Sequence, residues 1–231
     1  ARRTRRGRRG RGPAERRLGR RRRRQRRRQL PLRVGVLLAI IALPAIVTSA
    51  IFLVEPLCPL NVVVDPVMVA KGGDTLLQDE AIEALKTELI PIALVVTPNG
   101  PEATAITGIN VVDVNSAKAA AVKLVEMGCK TAVVKGGHIN EGPATDIFYD
   151  GTSFHLFTTK RVNTLNTHGT GCTFASAIAA GIAKGLSTRN SVSEAKAFVT
   201  GSIRHDLQIG NGHGPLNHFY EHWKSEESGI Q

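Results

Sequence analysis

A glycine-rich turn that leads into a helix carries the strongest chemical signal in the sequence. Residues 166–173 read NTHGTGCT and run into the small-residue stretch FASAIAAGIA. Glycines let a backbone turn tightly and approach a ligand closely. The first N–H groups of the helix predicted over 173–184 have no partner inside the helix and lie at the positive end of its dipole, which suits an anion such as phosphate. The alternative is a plain turn before a tightly packed core helix.

Cys172 stands at the end of this turn, where the free N–H groups of the helix converge. A thiol at a helix N-terminus is expected to have a lowered pKa, because the dipole stabilises the thiolate. Cys172 is therefore a candidate general base, or a group that orients a substrate hydroxyl. The alternative is a small buried apolar residue, the usual fate of a free cysteine and the better description of Cys129.

Polar residues also follow three predicted strands, at the point where each strand ends. Because ligands bind beyond the carboxyl ends of parallel strands, we expect these residues to share one crevice. Each has a simpler alternative: a turn residue for Asp65, a favourable helix start for Glu102 and a solvated strand end for Lys135. The residues are Asp65 after the strand over 61–64, Asn99 and Glu102 after the strand over 93–96, and Lys135 after the strand over 131–134.

The elements that position these residues alternate between short apolar strands and amphipathic helices. This alternation predicts an α/β fold with a doubly wound, mostly parallel sheet and helices on both faces. Further strands are predicted over 146–149 and 154–159, joined by a turn at Gly151. The predicted helices cover 79–89, which ends before Pro91, 116–127 with Ser116 as its N-cap, 173–184 and 192–206.

The positive charge is concentrated at the start of the chain. Residues 1–33 hold 18 arginines and one acidic residue, a charge of +17, whereas residues 34–231 hold 13 basic and 18 acidic residues, a charge of −5. Together they give the net charge of +12. The mildly acidic body argues against a nucleic-acid-binding surface on the folded domain. The arginine segment is predicted to be a disordered tail, and its alternative role is contact with RNA or an anionic membrane.

The segment that follows the tail is strongly apolar. Residues 34–54 are uncharged and long enough to span a bilayer, but a buried helix and strand of the α/β core is the alternative that we favour. The scattered Cys58, Cys129 and Cys172 exclude a disulfide framework and lack the paired spacing of a zinc site. They favour a reducing compartment, the cytoplasm or a plastid.

Five segments together resemble the hydroxymethylpyrimidine/phosphomethylpyrimidine kinases of the ribokinase-like superfamily. The resemblance covers about residues 61–219 and implies ATP- and Mg²⁺-dependent phosphorylation of 4-amino-5-hydroxymethyl-2-methylpyrimidine and its monophosphate in thiamine biosynthesis. Vitamin B6 (pyridoxal) kinases of the same superfamily are the nearest alternative, and cysteine at position 172 favours the pyrimidine branch. The segments are VVVDPVMVAKGGDTLL, VVTPNGPEA, VVKGGH, NTHGTGCTFASAIAAGIAKG and GNGHGPLNHF.

The resemblance implies a role for each matching residue. Lys135 contacts the ATP phosphates, and Asp65 lies near the phosphates and the metal. Asn99 and Glu102 organise Mg²⁺ through its waters, and Val67 forms part of the wall of the pyrimidine pocket. The anion hole consists of Gly169, Thr170, Gly171 and Cys172, with Cys172 beside the substrate hydroxymethyl group as the proposed base.

Residues 1–60 depart from the family, because its glycine-rich opening segment has no counterpart there. We therefore expect an N-terminally truncated kinase domain with weak pyrimidine binding and an exposed sheet edge that favours association, for example as a homodimer. A catalytically impaired kinase-like chain whose arginine tail binds RNA or membrane is the alternative. The predicted domains are the tail over 1–33, the apolar segment over 34–60, the kinase domain over 61–222 and a polar tail over 223–231.

Overall fold

One six-stranded sheet forms the centre of the molecule. The computed structural model describes residues 36–39, 61–68, 79–139, 142–207, 209 and 212–222, so the predicted tails lie outside the described residues. Of the apolar segment over 34–60, the strand Val36–Ala39 is described. The strands follow one another across the sheet in chain order. They are β1 (Val36–Ala39), β2 (Val62–Asp65), β3 (Val95–Val96), β4 (Ala132–Val134), β5 (Ala144–Tyr149) and β6 (Phe154–Thr159).

Parallel pairing dominates this sheet. The first four strands pair in parallel, whereas β5 pairs antiparallel with both β4 and β6. Parallel neighbours need a crossover connection, and helices supply it between β2 and β3 and between β3 and β4. The predicted fold class, a mostly parallel α/β sheet with helices on both faces, is confirmed.

Five α-helices lie within the described residues: α1 (Asp79–Ala84), α2 (Gly100–Thr107), α3 (Val114–Glu126), α4 (Thr170–Ala183) and α5 (Thr188–Arg204). The helix predicted over 79–89 is present, but its second half, Leu85–Leu89, is a π-helical turn. Pro91 then stands in a short 3-10 turn, Ile90–Ile92, and a second 3-10 turn, Gly136–His138, follows β4. No helix in the described part of the chain is both long enough and apolar enough to cross a bilayer.

Two apolar layers pack on opposite faces of the sheet, and β2 contributes to both. Val62 and Val64 belong to the layer that contains Leu85 and Leu124, on the side of α1 to α3. Val63 belongs to the layer formed with α4 and α5, which includes Ile178. Burial on both faces explains why β2 is a continuous run of valines rather than an alternating strand. Each fully buried side chain of this size contributes roughly 1.5–3 kcal/mol.

Small residues allow α4 and α5 to pack closely. A Cβ atom built on Gly181 would lie 2.8 Å from Ser191 Oγ and 3.2 Å from Ser191 Cα, so any side chain there would push the two helices apart. Close packing, the alternative interpretation of the stretch FASAIAAGIA, is therefore correct at this position. It does not compete with a chemical role for the turn that precedes α4.

Three helices start earlier than predicted, and one of them, α5, begins at Thr188 instead of residue 192, after the N-cap Ser187. Asp113 is the N-cap of α3: its Oδ1 accepts from Ser116 N at 2.7 Å, and Ser116 Oγ accepts from Asp113 N at 3.0 Å. The prediction of Ser116 as N-cap is wrong, since Ser116 is the third helical residue of a capping box. Helix α4 begins at Thr170 instead of residue 173, with Gly169 as N-cap.

Candidate active site

The carboxyl ends of β2 and β4 bring Asp65 and Lys135 into contact. Asp65 ends β2 and is 1% exposed, whereas Lys135 follows β4 directly and its side chain is 16% exposed. Lys135 Nζ donates to Asp65 Oδ1 at 2.8 Å. The backbone N–H of Lys135 donates to Pro98 O at 2.8 Å, which joins the end of β4 to the turn after β3. The three predicted strand ends thus meet at one edge of the sheet.

The two oxygens of the Asp65 carboxylate have different surroundings. Besides Lys135, Oδ1 accepts a hydrogen bond from Thr97 Oγ1 at 3.1 Å. Oδ2 is buried and has no hydrogen-bond partner among the described residues. It lies 3.5 Å from the position that a Cβ atom on Gly171 would occupy. Because a buried acceptor left without a partner costs about 1–3 kcal/mol, this oxygen marks a place where a ligand would be stabilising.

Asn99 and Glu102 form the capping box of α2. Glu102 N donates to Asn99 Oδ1 at 2.9 Å, and Asn99 N donates to Glu102 Oε2 at 2.7 Å. The same Glu102 Oε2 lies 3.8 Å from Lys135 Nζ. Burial raises the pKa of Glu102 above its ordinary value and the charge of Asp65 adds to this, while Lys135 and the Asn99 N–H oppose the shift. The helix-start alternative for Glu102 is therefore correct, and the carboxylate also faces the lysine.

The tip of α4 is open towards the same lysine. Gly169, the N-cap, has φ 81°, a left-handed conformation that glycine adopts without strain, and no side chain caps the helix. Among the backbone hydrogen bonds of the described residues, none has the N–H of Gly171 or Cys172 as its donor. A Cβ atom on Gly171 would lie 3.1 Å from Lys135 Nζ. Glycine at this position therefore keeps a small space free between the lysine, Asp65 and the helix tip.

The pKa of Cys172 shifts in the direction opposite to the sequence expectation. Desolvation by the surrounding protein and then the negative charge of Asp65 raise the pKa of the thiol, and Lys135 offsets this in part. The prediction of a lowered pKa from the helix dipole is wrong, because desolvation and the neighbouring carboxylate both favour the neutral thiol, and the sequence reveals neither. Cys172 itself is exposed, in contrast to the buried Cys129, whose pKa burial raises to about 12.

Val67 lies in the turn that follows β2. It is half-buried, and its N–H donates to Asp65 O at 2.9 Å. This hydrogen bond fixes the backbone directly after the buried carboxylate, next to the buried Met68. The assignment of Val67 to the wall of a pyrimidine pocket stays a prediction.

A groove of about 460 Å³ opens beside the tip of α4. Thr173 Oγ1 and His218 Nε2 are hydrogen-bonded at 2.9 Å on its wall. Sequence reasoning missed this groove, because its walls come from two helices and the C-terminal segment. The signal that was available is the spacing of Cys172, Thr173, Ser176 and Ala177, which places them on one helix face. The lining residues are Cys172, Thr173, Ser176, Ala177, Phe198 and His218.

The segment before α4 is held by the C-terminal turn that the sequence GHGP predicts. Asn166 Oδ1 accepts from Gly214 N at 2.9 Å, and His168 N donates to Gly214 O at 3.2 Å. A Cβ atom on Gly214 would lie 2.3 Å from Asn166 Oδ1, so the two segments touch. The turn over 212–215 thus supports the backbone that leads into the helix tip.

The residues around Lys135 fit a magnesium ion whose other ligands are water molecules and the phosphates of the substrate. In the part of the chain that the structure describes, no cluster of three or more His, Cys, Asp or Glu residues could bind a metal ion. Mg²⁺ keeps several waters and usually needs only one or two carboxylates plus substrate phosphates. The buried carboxylates of Asp65, with its unpaired Oδ2, and of Glu102 meet that need. Asn99 fits a positioning role better, because its Oδ1 already accepts from Glu102 N.

Comparison with known proteins agrees with this arrangement. The family model of phosphomethylpyrimidine kinase matches residues 40–217. The chain belongs to the phosphomethylpyrimidine kinase family. The match begins at residue 40, so the resemblance recognised from the motifs, which starts at about residue 61, is too short at its N-terminal side.

Curated relatives of this phosphomethylpyrimidine kinase family member include a kinase of the same name and a bifunctional protein of thiamine biosynthesis. The chain is 47% identical over 160 residues to the hydroxymethylpyrimidine/phosphomethylpyrimidine kinase of Bacillus subtilis, covering 69% of this chain and 59% of that protein. It is 49% identical over 157 residues to the thiamine biosynthesis bifunctional protein ThiED of Geobacter sulfurreducens, covering 68% of this chain and 32% of that protein. The chain thus spans less than two thirds of the length of either relative.

Solved structures of vitamin kinases share the fold. The ADP complex of Bacillus subtilis pyridoxal kinase has a TM-score of 0.75 and 29% identity, covering 82% of this chain and 70% of that one. The phosphomethylpyrimidine kinase of Clostridium difficile 630 has a TM-score of 0.64 and 33% identity, covering 72% of this chain and 68% of that one. Both similarities support the assignment of the fold made from the sequence.

Proposed function

We propose that this family member transfers the γ-phosphoryl group of ATP to the hydroxymethyl oxygen of 4-amino-5-hydroxymethyl-2-methylpyrimidine, and then phosphorylates the monophosphate. The observation that carries the proposal is the space beside Gly171, bordered by the Lys135 ammonium, the unpaired Asp65 Oδ2 and the open helix tip. Phosphoryl transfer depends mainly on positioned charges around the phosphates, and the groups that border this space supply such charges.

Lys135 and the tip of α4 would hold the transferred group between them. The ammonium is a compact point charge that contacts the phosphates of the nucleotide. The N–H groups of Gly171 and Cys172 are preorganised donors for the charge that develops on the phosphoryl oxygens. Mg²⁺, when bound through water to Glu102 and Asp65, supplies further charge neutralisation.

Cys172 is proposed to orient the hydroxymethyl group of the acceptor. Its raised pKa means that the thiol is largely protonated at neutral pH, which makes it a poor general base. A loose transition state for phosphoryl transfer leaves little bond formation for a base to assist, so a positioned thiol suffices. This refines the role as proposed base that the family resemblance implies.

The groove beside the helix tip is proposed to bind the base of the nucleotide. Its volume of about 460 Å³ lies within the range of small-molecule sites, and Phe198 and His218 give it aromatic walls. A purine can stack on such rings while its phosphates reach the helix tip. Phe198→Ala should raise KM for ATP and leave KM for the acceptor unchanged, and an equal change in both KM values would remove the groove from the ATP site.

The decisive assay measures ADP release by the full chain with Mg²⁺-ATP and three acceptors: the hydroxymethylpyrimidine, its monophosphate and pyridoxal. We expect the highest kcat/KM with the pyrimidines. A preference for pyridoxal would favour the second candidate function, pyridoxal kinase, which the similarity to solved pyridoxal kinases supports. Turnover with none of the three, together with no ATP binding by calorimetry, would refute a kinase function for this chain.

The role of Cys172 has its own test. Cys172→Ala should lower kcat by about 100-fold and leave the affinity for Mg²⁺-ATP within about twofold, because the thiol is proposed to act on the acceptor. Cys129→Ala is a matched control, since that thiol is buried and no role in the site is proposed for it. Equal losses of turnover and ATP affinity in the Cys172 variant would contradict the acceptor-side role.

A further inference from the structure

A second buried ion pair contacts the backbone next to Lys135. Asp146, in β5, is 5% exposed, and its Oδ2 lies 2.8 Å from Lys196 Nζ of α5. Its Oδ1 accepts a hydrogen bond from the backbone N–H of Gly136 at 2.9 Å. Gly136 is the residue after Lys135, so a buried carboxylate holds the peptide group that follows the proposed phosphate-binding lysine.

The backbone at Gly136 lies close against β5. A Cβ atom on Gly136 would lie 1.9 Å from Thr145 O, which shows that the two backbones are in close contact. Asp146 therefore contacts a backbone segment that already packs against Thr145, the residue before Asp146 in β5. The hydrogen bond from Gly136 N to Asp146 Oδ1, at 2.9 Å, adds a directional contact to this packing.

The turn that follows Gly136 is held by a second charged side chain. The guanidinium of Arg161 donates to the carbonyl oxygens of Gly137 and Gly142, each at 2.9 Å, and also to those of Gly136 and Ile139. Asp146 thus accepts from an N–H of this turn while Arg161 donates to its carbonyls. The two contacts are complementary, and both converge on the residues next to Lys135.

We propose that Asp146, itself held by Lys196, is a positioning residue for Lys135 in the kinase reaction. The proposal rests on the proposed function. The lysine side chain is flexible, so the positions that its ammonium group can occupy depend on the backbone that carries it. By fixing the Gly136 peptide, Asp146 keeps Lys135 Nζ within reach of both Asp65 and the space for the phosphates. A pair that merely tied α5 to the sheet would affect stability and not the site.

Two double variants separate these roles. Asp146→Asn/Lys196→Met removes both charges but keeps an oxygen that can accept from Gly136 N–H. Asp146→Leu/Lys196→Met removes both charges and that acceptor, with a side chain of similar size. Neither leaves a buried charge without a partner, which is the usual reason why breaking such a pair unfolds a protein. Thermal unfolding of both variants confirms that they are compared as folded proteins.

We expect the leucine double variant to raise KM for ATP at least about tenfold, and the asparagine double variant to stay within about threefold of the parent, because small displacements of a positioned group have large effects. Lys123→Met/Glu126→Gln, which removes an exposed pair on α3, controls for the change in charge. Equal KM values for ATP in the two Asp146 variants would overturn the proposal.

Hydrogen exchange at the Gly136 amide gives a readout that does not depend on catalysis. Its protection should fall in the leucine double variant and persist in the asparagine one. If the parent chain binds no ATP, the proposed function fails while this measurement still decides whether Asp146 fixes the peptide. Unchanged protection at Gly136 in the leucine variant would overturn the positioning role.

Discussion

Two buried aspartate–lysine pairs among the described residues have the same separation and different surroundings. Asp65–Lys135 and Asp146–Lys196 both have a nitrogen–oxygen distance of 2.8 Å. Both oxygens of Asp146 have a partner, Gly136 N and Lys196 Nζ, so this pair is closed. Asp65 keeps one buried oxygen without a partner, so its pair is open. Distance alone therefore does not separate the pair of the candidate site from the pair that supports it, whereas the unpaired oxygen does.

The open pair also carries an excess of negative charge. Two buried carboxylates, Asp65 and Glu102, lie within 4 Å of the single ammonium of Lys135, at 2.8 and 3.8 Å. The closed pair has one carboxylate and one ammonium. An arrangement that is incomplete in both hydrogen bonds and charge costs stability and is expected where a ligand completes it. Variants that affect the two pairs differently test this interpretation.

Removing the lysine of the open pair should have the largest effect on activity. Lys135→Met removes the proposed phosphate contact, and we expect kcat/KM for ATP to fall by about 100- to 1,000-fold. Steady-state kinetics and calorimetry with Mg²⁺-ATP measure this loss. Lys130→Met, which changes an exposed lysine before the start of the same strand, is the matched control. Similar kinetics for both variants would show that the open pair is not part of the site.

Removing the lysine of the closed pair should instead affect stability more than activity. Lys196→Met leaves the Asp146 charge buried without its partner, and we expect a loss of about 3 kcal/mol in the free energy of unfolding. Denaturant unfolding measures this value against Lys123→Met, whose exposed pair contributes at most about 1 kcal/mol. A loss as small as that of the control would mean that the Asp146–Lys196 pair does not stabilise the fold.

The open pair was predictable from the sequence because each of its members directly follows a predicted strand. Asp65 and Lys135 are the first polar residues after runs of valine and alanine, and parallel strands bring their carboxyl ends together. The helix tip was predictable from the glycines around Thr170. These inferences need only the order of the elements and the direction of the strands, which the alternating pattern supplies.

The closed pair and the pKa of Cys172 depend on packing that no local pattern shows. Asp146 lies inside a strand, where the sequence gives no reason to expect a partner 50 residues later in α5. The raised pKa of Cys172 follows from partial desolvation and from Asp65, which approaches the thiol only after the sheet and α4 have packed. The Phe198 wall of the groove depends on the same packing. Sequence patterns therefore predicted the strand-end residues and missed contacts between elements.

Alanine should lower stability when it replaces Gly136, next to the closed pair, and should lower activity when it replaces Gly171, next to the open pair. At Gly136 the new Cβ atom would lie 1.9 Å from the backbone oxygen of Thr145, which cannot move alone, so we expect a loss of about 2 kcal/mol in stability. At Gly171 the contact at 3.1 Å is with the flexible end of Lys135, so stability should change little. The methyl group would fill the phosphate space, however, and kcat/KM for ATP should fall about tenfold.

Thermal unfolding and kinetics of the two glycine variants test this contrast between stability and activity. A stable Gly136→Ala would show that the backbone near the closed pair can adjust. A fully active Gly171→Ala would show that the space beside Lys135 does not receive the phosphates, and it would weaken the distinction between an open and a closed pair.

The smallest expected effect concerns Glu102, the second carboxylate of the open pair. Its folded pKa is raised above the ordinary 4.5, so the folded state binds its proton more tightly than the unfolded state. Stability should therefore fall as pH rises from about 4.5 through the raised pKa. Glu102→Gln can still accept from Asn99 N but does not titrate, so without nucleotide it should gain stability relative to the parent as pH increases through that range. Denaturant unfolding across this pH range measures the difference in stability, with Glu126→Gln at an exposed position as control. If the stability gained by Glu102→Gln instead shrinks with rising pH, the Lys135 charge outweighs burial at Glu102.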